Sequence, residues 1–426
     1  MNKRFHLPII AVIIPAILFI SCGSGEVAES KLERIVNPDV PPASVVELVD
    51  GNTAFAFDLY QAVRSTTGNL VYSPYSISLA LAMTYGGARG NTATQMVNVM
   101  HYTLPDGQLH PAFNALDLDL AQRPGQVSSA NKNDRFQLTI ANSLWGQNGW
   151  PFLPEYLDLL AVNYGAGMNL VNFKKSPENA RHQINNWVSD QTNDLIKDVI
   201  PEGAIDVKTR LVLVNAIYFK ATWLVEFDPT STREAPFTLL NGEQVNVSMM
   251  EGAYKTNYKY ASGAGWQAIT LPYFGDQADM MIILPDAGNF ESFESTLTAE
   301  RYDEIRSMMQ WQMIELYMPK FTFETALGLK ETLVEMGMQD AFDMDLANFA
   351  GMDGEQILYL DKVFHKALIT VDEKGTEAAA STAAIVAPAS LVTEWVTVTM
   401  DRPFFYMIRD IPTGTILFMG RVVDPR

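Results

Sequence analysis

The chain is poor in the residues that build covalent or metal-centred chemistry. It has one cysteine, Cys22, among 426 residues, which excludes an internal disulfide, a thiolate metal cluster and a Cys-X-X-Cys redox pair. Histidine is scarce: His6, His101, His110, His182 and His365 are the only five, and no His-X-X-X-His or His-Glu-X-X-His spacing offers a zinc site. There is no Gly-X-Ser-X-Gly elbow and no phosphate-binding loop. Gly86-Gly87-Ala88-Arg89-Gly90 is glycine-rich but follows a helical stretch rather than a strand. Carboxylates are so numerous that any two can be paired on paper, so no catalytic dyad can be nominated. Positive charge is short too. Thirty Lys and Arg face 49 Asp and Glu, for a net charge of −19, the wrong sign for wrapping a phosphate backbone, so no nucleic-acid partner is expected. Neither metal nor cofactor is expected, and no enzyme activity. What the chain does have is 48% hydrophobic residues, enough for a large core that must be stabilised by burial alone.

Long apolar runs are also missing. Leu7 to Ile20 is nearly unbroken, but a membrane-spanning helix needs about 20 residues. After Lys3 and Arg4 the run suits a signal-peptide core. It ends in Phe19-Ile20-Ser21-Cys22-Gly23, which resembles the bacterial lipoprotein box, where the cysteine becomes the new N-terminus and carries lipid. The only thiol stands where cleavage should fall, and no A-x-A pattern competes nearby. The alternative is a plain secretory signal in which Cys22 is incidental. More than one acyl chain at Cys22 anchors the protein durably, where a single chain does not. Residues 1–21 are thus read as the signal, and the mature protein is expected in the bacterial cell envelope, lipid-anchored on its periplasmic or extracellular face. Residues 22–43, with Gly23-Ser24-Gly25, Pro38, Pro41 and Pro42, show no apolar periodicity and read as a flexible tether.

From Ser44 to Arg426 no linker or repeat interrupts the chain, so a single domain is expected. Phe55, Leu59, Ala62 and Val63 share a helical face. Ser73-Pro74 opens an apolar helix, with Ser at the cap and Pro in the first turn, and Gly86-Gly87 ends it. Thr92-Ala93-Thr94-Gln95 fits a capping box, and Ile184, Trp187, Val188, Gln191 and Leu195 mark another amphipathic helix. Phe136, Leu138 and Ile140 alternate with polar residues as in a half-buried strand. Leu211 to Phe219 is a continuous apolar run, as in a strand covered on both faces. Further strands are expected at Met280–Leu284, Met313–Met318, Val363–Val371, Trp395–Met400, Phe404–Ile408 and Ile416–Val423. Helices early, strands late and no regular βαβ alternation predict an α+β fold with large sheets. His365, flanked by alternating apolar residues, reads as a hydrogen-bonded core histidine.

One stretch asks for its own explanation. From Thr376 to Ala387 there is one charge, Glu377, and no Gly or Pro, and apart from Glu377, Ile385 and Val386 every residue is small. Propensity favours an alanine-rich helix, and a low-complexity linker is a second reading. A third is a loop able to become a strand: Thr376, Ala378, Ala380, Thr382, Ala384 and Val386 form one small, uncharged face, with Glu377 on the other. Alternation alone does not choose among them.

The chain resembles the serpin family over Ser44 to Arg426. Asn69-Leu70-Val71-Tyr72-Ser73-Pro74-Tyr75-Ser76-Ile77 resembles its early helix start. Val214-Asn215-Ala216-Ile217-Tyr218-Phe219-Lys220-Ala221-Thr222-Trp223 resembles its central-strand signature. His365-Lys366-Ala367 and Val371-Asp372-Glu373-Lys374-Gly375-Thr376-Glu377-Ala378-Ala379-Ala380 resemble its hinge, and Arg402-Pro403-Phe404 with Phe418-Met419-Gly420-Arg421-Val422 its C-terminal strands.

The resemblance implies three β-sheets, about nine helices and an exposed reactive loop at about residues 374–392. It also implies a mechanism: a serine protease attacks the loop, forms an acyl-enzyme, and is trapped when the loop inserts as a new strand in the central sheet. Loop insertion by serpins is itself a standard example of strand addition and released strain. Glu373, Gly375, Thr376, Glu377, Ala378, Ala379, Ala380, Ser381 and Thr382 match the hinge. Ser73, Ser76, Asn215 and His365 match positions that control sheet opening, and Trp223, Lys320 and Glu373 the point where the loop first enters, with Lys320 and Glu373 as an ion pair. Seventeen residues counted from Glu373 place the scissile bond at Ala389–Ser390, within a register window of 387–392. Small apolar bait implies elastase-like or subtilisin-like targets, and with no Lys or Arg between Glu377 and Arg402 trypsin-like targets are disfavoured. The protein is expected to act as a monomer. The alternative is a non-inhibitory member that binds a ligand or partner, but such members commonly carry bulky, charged or proline hinge residues, which this hinge lacks.

Overall fold

A computed structural model describes residues 26–126, 136–376 and 394–426. Its organising element is the strand Leu211–Thr222. Successive side chains of a strand point to opposite faces, and both faces here are covered. Leu211, Leu213, Ile217 and Phe219 join the main core, while Val212, Val214 and Ala216 pack with Ala180, Ile184 and Val188 of helix Pro177–Gln191. That two-sided cover is why the stretch reads as an unbroken apolar run.

Seven strands form this sheet, in the order Glu26–Ala28, Met168–Val171, Gln137–Gln147, Leu211–Thr222, Gly375–Thr376, Lys362–Val371 and Phe321–Gly328. A second, ten-stranded sheet runs from Leu70–Tyr72 through Ile416–Val422, Phe404–Asp410, Ala278–Pro285, Trp266–Pro272, Thr256–Gly263 and Gln310–Pro319 to Gln244–Glu251 and Arg233–Thr238. Val396–Thr399 adds to it in parallel with Ile314–Tyr317. The three sheets implied by the resemblance are here two hydrogen-bonded ones, because Gln310–Pro319 pairs with Thr256–Tyr260 along its first half and with Met249–Glu251 at its end. Ten α-helices lie among the described residues, so the α+β expectation holds.

The helix opened by Ser73-Pro74 runs Pro74–Tyr85 and is buried at every position. Ser73 Oγ accepts the Ser76 amide at 3.2 Å, as an N-cap should. Being apolar all round, the helix belongs in the interior, and it packs beneath strands Gln137–Gln147 and Leu211–Thr222.

Two local expectations need correction. The Thr92–Gln95 capping box does not form: the helix begins at Gly90, with Arg89 as N-cap. Thr92 Oγ1 accepts the Asn348 amide, and Gln95 bonds Asp340 through both ends of its side-chain amide. Tertiary partners have taken the groups a cap would use. The amphipathic helix ends at Gln191, before Leu195.

The tether reading of residues 22–43 also fails over its described part. Glu26–Ala28 is an edge strand paired antiparallel with Met168–Leu170. Arg34 donates to Asp117 at 2.6 Å and Asn114 at 2.7 Å, the Ile35 amide donates to Val162 O at 3.0 Å, and a helix starts at Pro42. Backbone pairing and one ion pair hold the segment, neither of which needs apolar periodicity. Hydrogen exchange followed by mass spectrometry should therefore find the Ile35 amide, and those of Glu26–Ala28 that face Met168–Leu170, protected. Arg34→Ala should lower that protection and cost about 1 kcal/mol in stability, as for a partly exposed pair; random-coil exchange of these amides in the wild type would restore the tether.

Candidate functional site: a seam in the seven-stranded sheet

Strands Leu211–Thr222 and Lys362–Val371 pair directly, and in parallel, only over Val212–Ile217 and Lys362–Ala367. Above Ile217 and Ala367 they are no longer paired with each other. Gly375–Thr376 lies between their upper ends, antiparallel to both: Gly375 faces Thr222, and Thr376 faces Ala221 on one side and Val371 on the other.

Below the wedge, three polar residues lie in one row across three strands. Asn142 is opposite Asn215, and Asn215 is opposite His365. His365 is 1% exposed. Its Nε2 accepts the Ser73 amide at 3.1 Å, which leaves Nδ1 to donate to Asn215 Oδ1. Asn215 Nδ2 in turn donates to Ser76 Oγ and Asn142 Oδ1, and Asn142 Nδ2 reaches back to Ser76 O at 3.2 Å. The network thus nails both seam strands to the buried helix beneath. It requires a neutral imidazole, and burial pushes the His365 pKa down from 6.5 to about 3. With no carboxylate in this network, nothing offsets the desolvation.

A second cluster holds the top. Trp223 donates its amide to Lys374 O at 2.7 Å and its indole Nε1 to Asp372 O at 3.0 Å. The indole stacks on Tyr273, centroids 4.6 Å apart, and the Tyr273 hydroxyl meets Thr376 Oγ1 at 2.7 Å. The Phe227 amide donates to Glu373 O at 2.8 Å. The Glu373 carboxylate receives Lys320 Nζ at 2.8 Å and the Thr232 hydroxyl at 2.7 Å. Partial burial works against its charge, but these two donors outweigh that and hold its pKa below the usual range. Asp372 Oδ1 accepts the Lys374 and Gly375 amides, closing a tight turn. Gly375 cannot carry a side chain here, since a Cβ would sit 2.0 Å from Ala221 O.

A family model described as "Serpin (serine protease inhibitor)" matches residues 50–425. The chain is a serpin. It is 39% identical, over 89% of its length and 86% of the relative's, to an uncharacterized serpin-like protein of Methanosarcina acetivorans. It is 37% identical to human leukocyte elastase inhibitor, over 89% of this chain and all of that one. Among solved structures, the native state of the thermophilic serpin tengpin superposes with a TM-score of 0.81 at 27% identity, covering 94% of this chain and 100% of that one. Human thyroxine-binding globulin complexed with its hormone superposes at 0.77 and 29% identity, covering 90% and 99%.

The sheet-opening residues expected from the sequence come together: Ser73, Ser76, Asn215 and His365 in the lower network, Trp223, Lys320 and Glu373 in the upper cluster with Gly375 and Thr376. Glu377, Ala378, Ala379, Ala380, Ser381, Thr382, Ala389, Ser390 and Cys22 lie outside the described residues. Sequence reading missed Asn142, Thr232, Tyr273 and Asp372. Asn142 had a signal: it continues the inward parity of Leu138 and Ile140, and a polar residue on that row needs a partner. Nothing local marks Tyr273.

Between about pH 6.5 and 3 an opened or unfolded chain binds a proton at residue 365 that the native ring refuses, so native stability falls as pH drops through this window. The slope contributed is up to roughly 1.4 kcal/mol per pH unit. Urea midpoints measured from pH 7.5 to 5 should decline for the wild type and less steeply for His365→Asn, the remaining slope coming from His110, whose burial lowers its pKa to about 4; an unchanged slope in the variant would remove His365 as the cause.

Proposed function

We propose that this serpin is a single-use inhibitor of elastase-like or subtilisin-like serine endopeptidases. The observation that carries this is the register of the wedge. Because Thr376 faces Ala221 and Val371, a strand continuing down the seam brings Glu377, Ala378 and Ala379 beside the part of the seam where the two strands have already parted. The next residue, Ala380, meets the paired Ile217 and Ala367. Thr382 arrives opposite both Asn215 and His365, and Val386 opposite Leu211, the last residue of the central strand.

The inward face of such a strand is Thr376, Ala378, Ala380, Thr382, Ala384 and Val386, all small enough to pass over the buried helix. Thr376 already shows the fit, 1% exposed against Tyr273. The gain is also legible: one parallel ladder is exchanged for two antiparallel ones, which pair somewhat better per residue.

In this reading the protease serine attacks the carbonyl of Ala389, the amine of Ser390 leaves, and an acyl-enzyme forms. Insertion down to Val386 then carries the ester to the far end of the seam before water cleaves it. The small bait residue and the likeness to leukocyte elastase inhibitors support the choice of target class. We also propose that Cys22 is lipidated and holds the inhibitor on the bacterial cell envelope as a monomer. A serpin-fold binding protein is the competing reading, favoured by the likeness to thyroxine-binding globulin.

Mixing the mature domain with elastase should give a boiling-resistant band near the summed masses, and its released fragment should begin at Ser390. Clean cleavage without that band, and without a rise in thermal stability, would favour the binding protein. Thr376→Arg should keep cleavage but lose most of the trapped band, since an unpaired buried charge costs several kcal/mol. For the anchor, the full chain should float with vesicles and Cys22→Ser should not; equal flotation would end the lipidation reading.

A further inference from the structure

Three connecting segments of the ten-stranded sheet line a recess of about 240 Å³. Residues 238–242 turn from strand Arg233–Thr238 towards Gln244–Glu251, residues 285–291 lead from strand Ala278–Pro285 into helix Phe290–Glu294, and residues 401–403 join strand Val396–Thr399 to Phe404–Asp410. The segments are bonded to one another, so the recess is formed before anything fills it. The Thr238 amide donates to Asp401 O at 2.7 Å. Arg402 donates through Nε to Pro285 O and through Nη1 to Asp401 Oδ1, both at 2.8 Å. The Gly242 amide closes the first segment on Leu239 O at 2.9 Å, with Gly242 at φ 83°, as in a hairpin loop that ends on a left-handed residue. That turn leaves Leu240 49% exposed at the recess.

Its walls are largely apolar and rigid. Phe290 is buried and stacked on Phe405, centroids 4.5 Å apart, and Pro285 and Pro403 are buried beside it. The charges along its edge do not balance. Arg402 is the one cation among the described residues that line it, and Asp401 already matches that charge. Asp286 and Glu291 line it too, both exposed, and neither carboxylate has an ion pair or side-chain hydrogen bond among the described residues. Exposed carboxylates are common on a chain of net charge −19; the apolar recess that these two share sets them apart. Unmatched negative charge over hydrocarbon walls fits a ligand with a positive head and an apolar body. Pockets for drug-sized ligands run from about 300 to 1,000 Å³, so this ligand is smaller.

We propose that this recess binds a small organic ammonium, its hydrocarbon body against Phe290, Pro285 and Leu240 and its protonated amine between Asp286 and Glu291. A neutral analogue forgoes the charge-assisted hydrogen bonds, and an anionic one meets two like charges. Bound there, the ligand ties residues 401–403, the connection that follows Val396–Thr399, to the other two segments. No residue of the hinge or the seam lines the recess, so the site stands apart from the inhibitor reading.

The test titrates the purified protein at neutral pH with phenethylamine, its neutral isostere phenethyl alcohol and the anion hydrocinnamate, by calorimetry. The amine should bind at least about fivefold more tightly than the alcohol, as two exposed charge contacts allow, and the anion should not bind. Asp286→Asn combined with Glu291→Gln should bring the amine down to the alcohol's affinity, and high salt should weaken the amine alone. Ala287→Trp, at an exposed position lining the recess, should fill it and abolish binding of both. Thermal unfolding without ligand checks that each variant folds, and the charge-removing pair decides the matter should Ala287→Trp fail to. Equal affinities for amine and alcohol, an amine preference that survives the double substitution, binding untouched by a folded Ala287→Trp, or no amine binding at millimolar concentration would each overturn the proposal.

Discussion

A neutral histidine at the centre of the main sheet is the constraint on which the rest depends. His365 accepts from the buried helix through one ring nitrogen and donates to Asn215 through the other, so it holds two neighbouring strands together and to the layer below at a single point. Two residues above that point, beyond Ile217 and Ala367, the strands have parted, and a two-residue wedge stands between their upper ends. The sheet is paired just far enough to be stable and left open just far enough to accept more chain. Opening the seam past Asn215 and His365 requires breaking the Asn142–Asn215–His365 row, and every member of that row is satisfied, which opposes gradual opening.

The wedge itself is held by unlike forces. Backbone hydrogen bonds from Trp223 and Phe227, a stacked Trp223–Tyr273 pair and the Lys320–Glu373 contact all converge on residues 372–376. Half-buried Glu373 is stabilised in its charged form by two donors, so the start of the loop has a fixed geometry without a disulfide. This is how a chain with one cysteine keeps that segment in place.

Much of this was legible in the sequence through its resemblance to the serpin family, whose motifs match around Ser73-Pro74, Asn215 and Gly375. Residue types alone gave the capped helix start and a buried core histidine, and left the run of small residues after Gly375 open among helix, linker and strand. Register was not legible, because which residues face each other across Leu211–Thr222 is decided by strands distant in sequence. Asn142 and Tyr273 were missed for that reason. The misread capping box had the right residues, but Thr92 and Gln95 bond Asn348 and Asp340 instead. The segment after Cys22 was taken for a tether because a three-residue edge strand is too short to show any period.

The two ends of the domain are sewn together. Leu70–Tyr72 pairs with Met419–Arg421, Asn69 bonds the backbone of Val423 and Asp424, and Arg421 reaches Glu294 and the carbonyl of Arg64. The strand Ile416–Val422 lies inside the ten-stranded sheet, not at its rim. Synthesis proceeds from the N-terminus, so Leu70–Tyr72 emerges long before its partner strand. The ten-stranded sheet cannot close until Ile416–Val422 has been made. For most of its synthesis the protein is an incomplete core with exposed apolar edges, and the half-open sheet it finally adopts is reached from a late, long-range closure that would be slow for any chain.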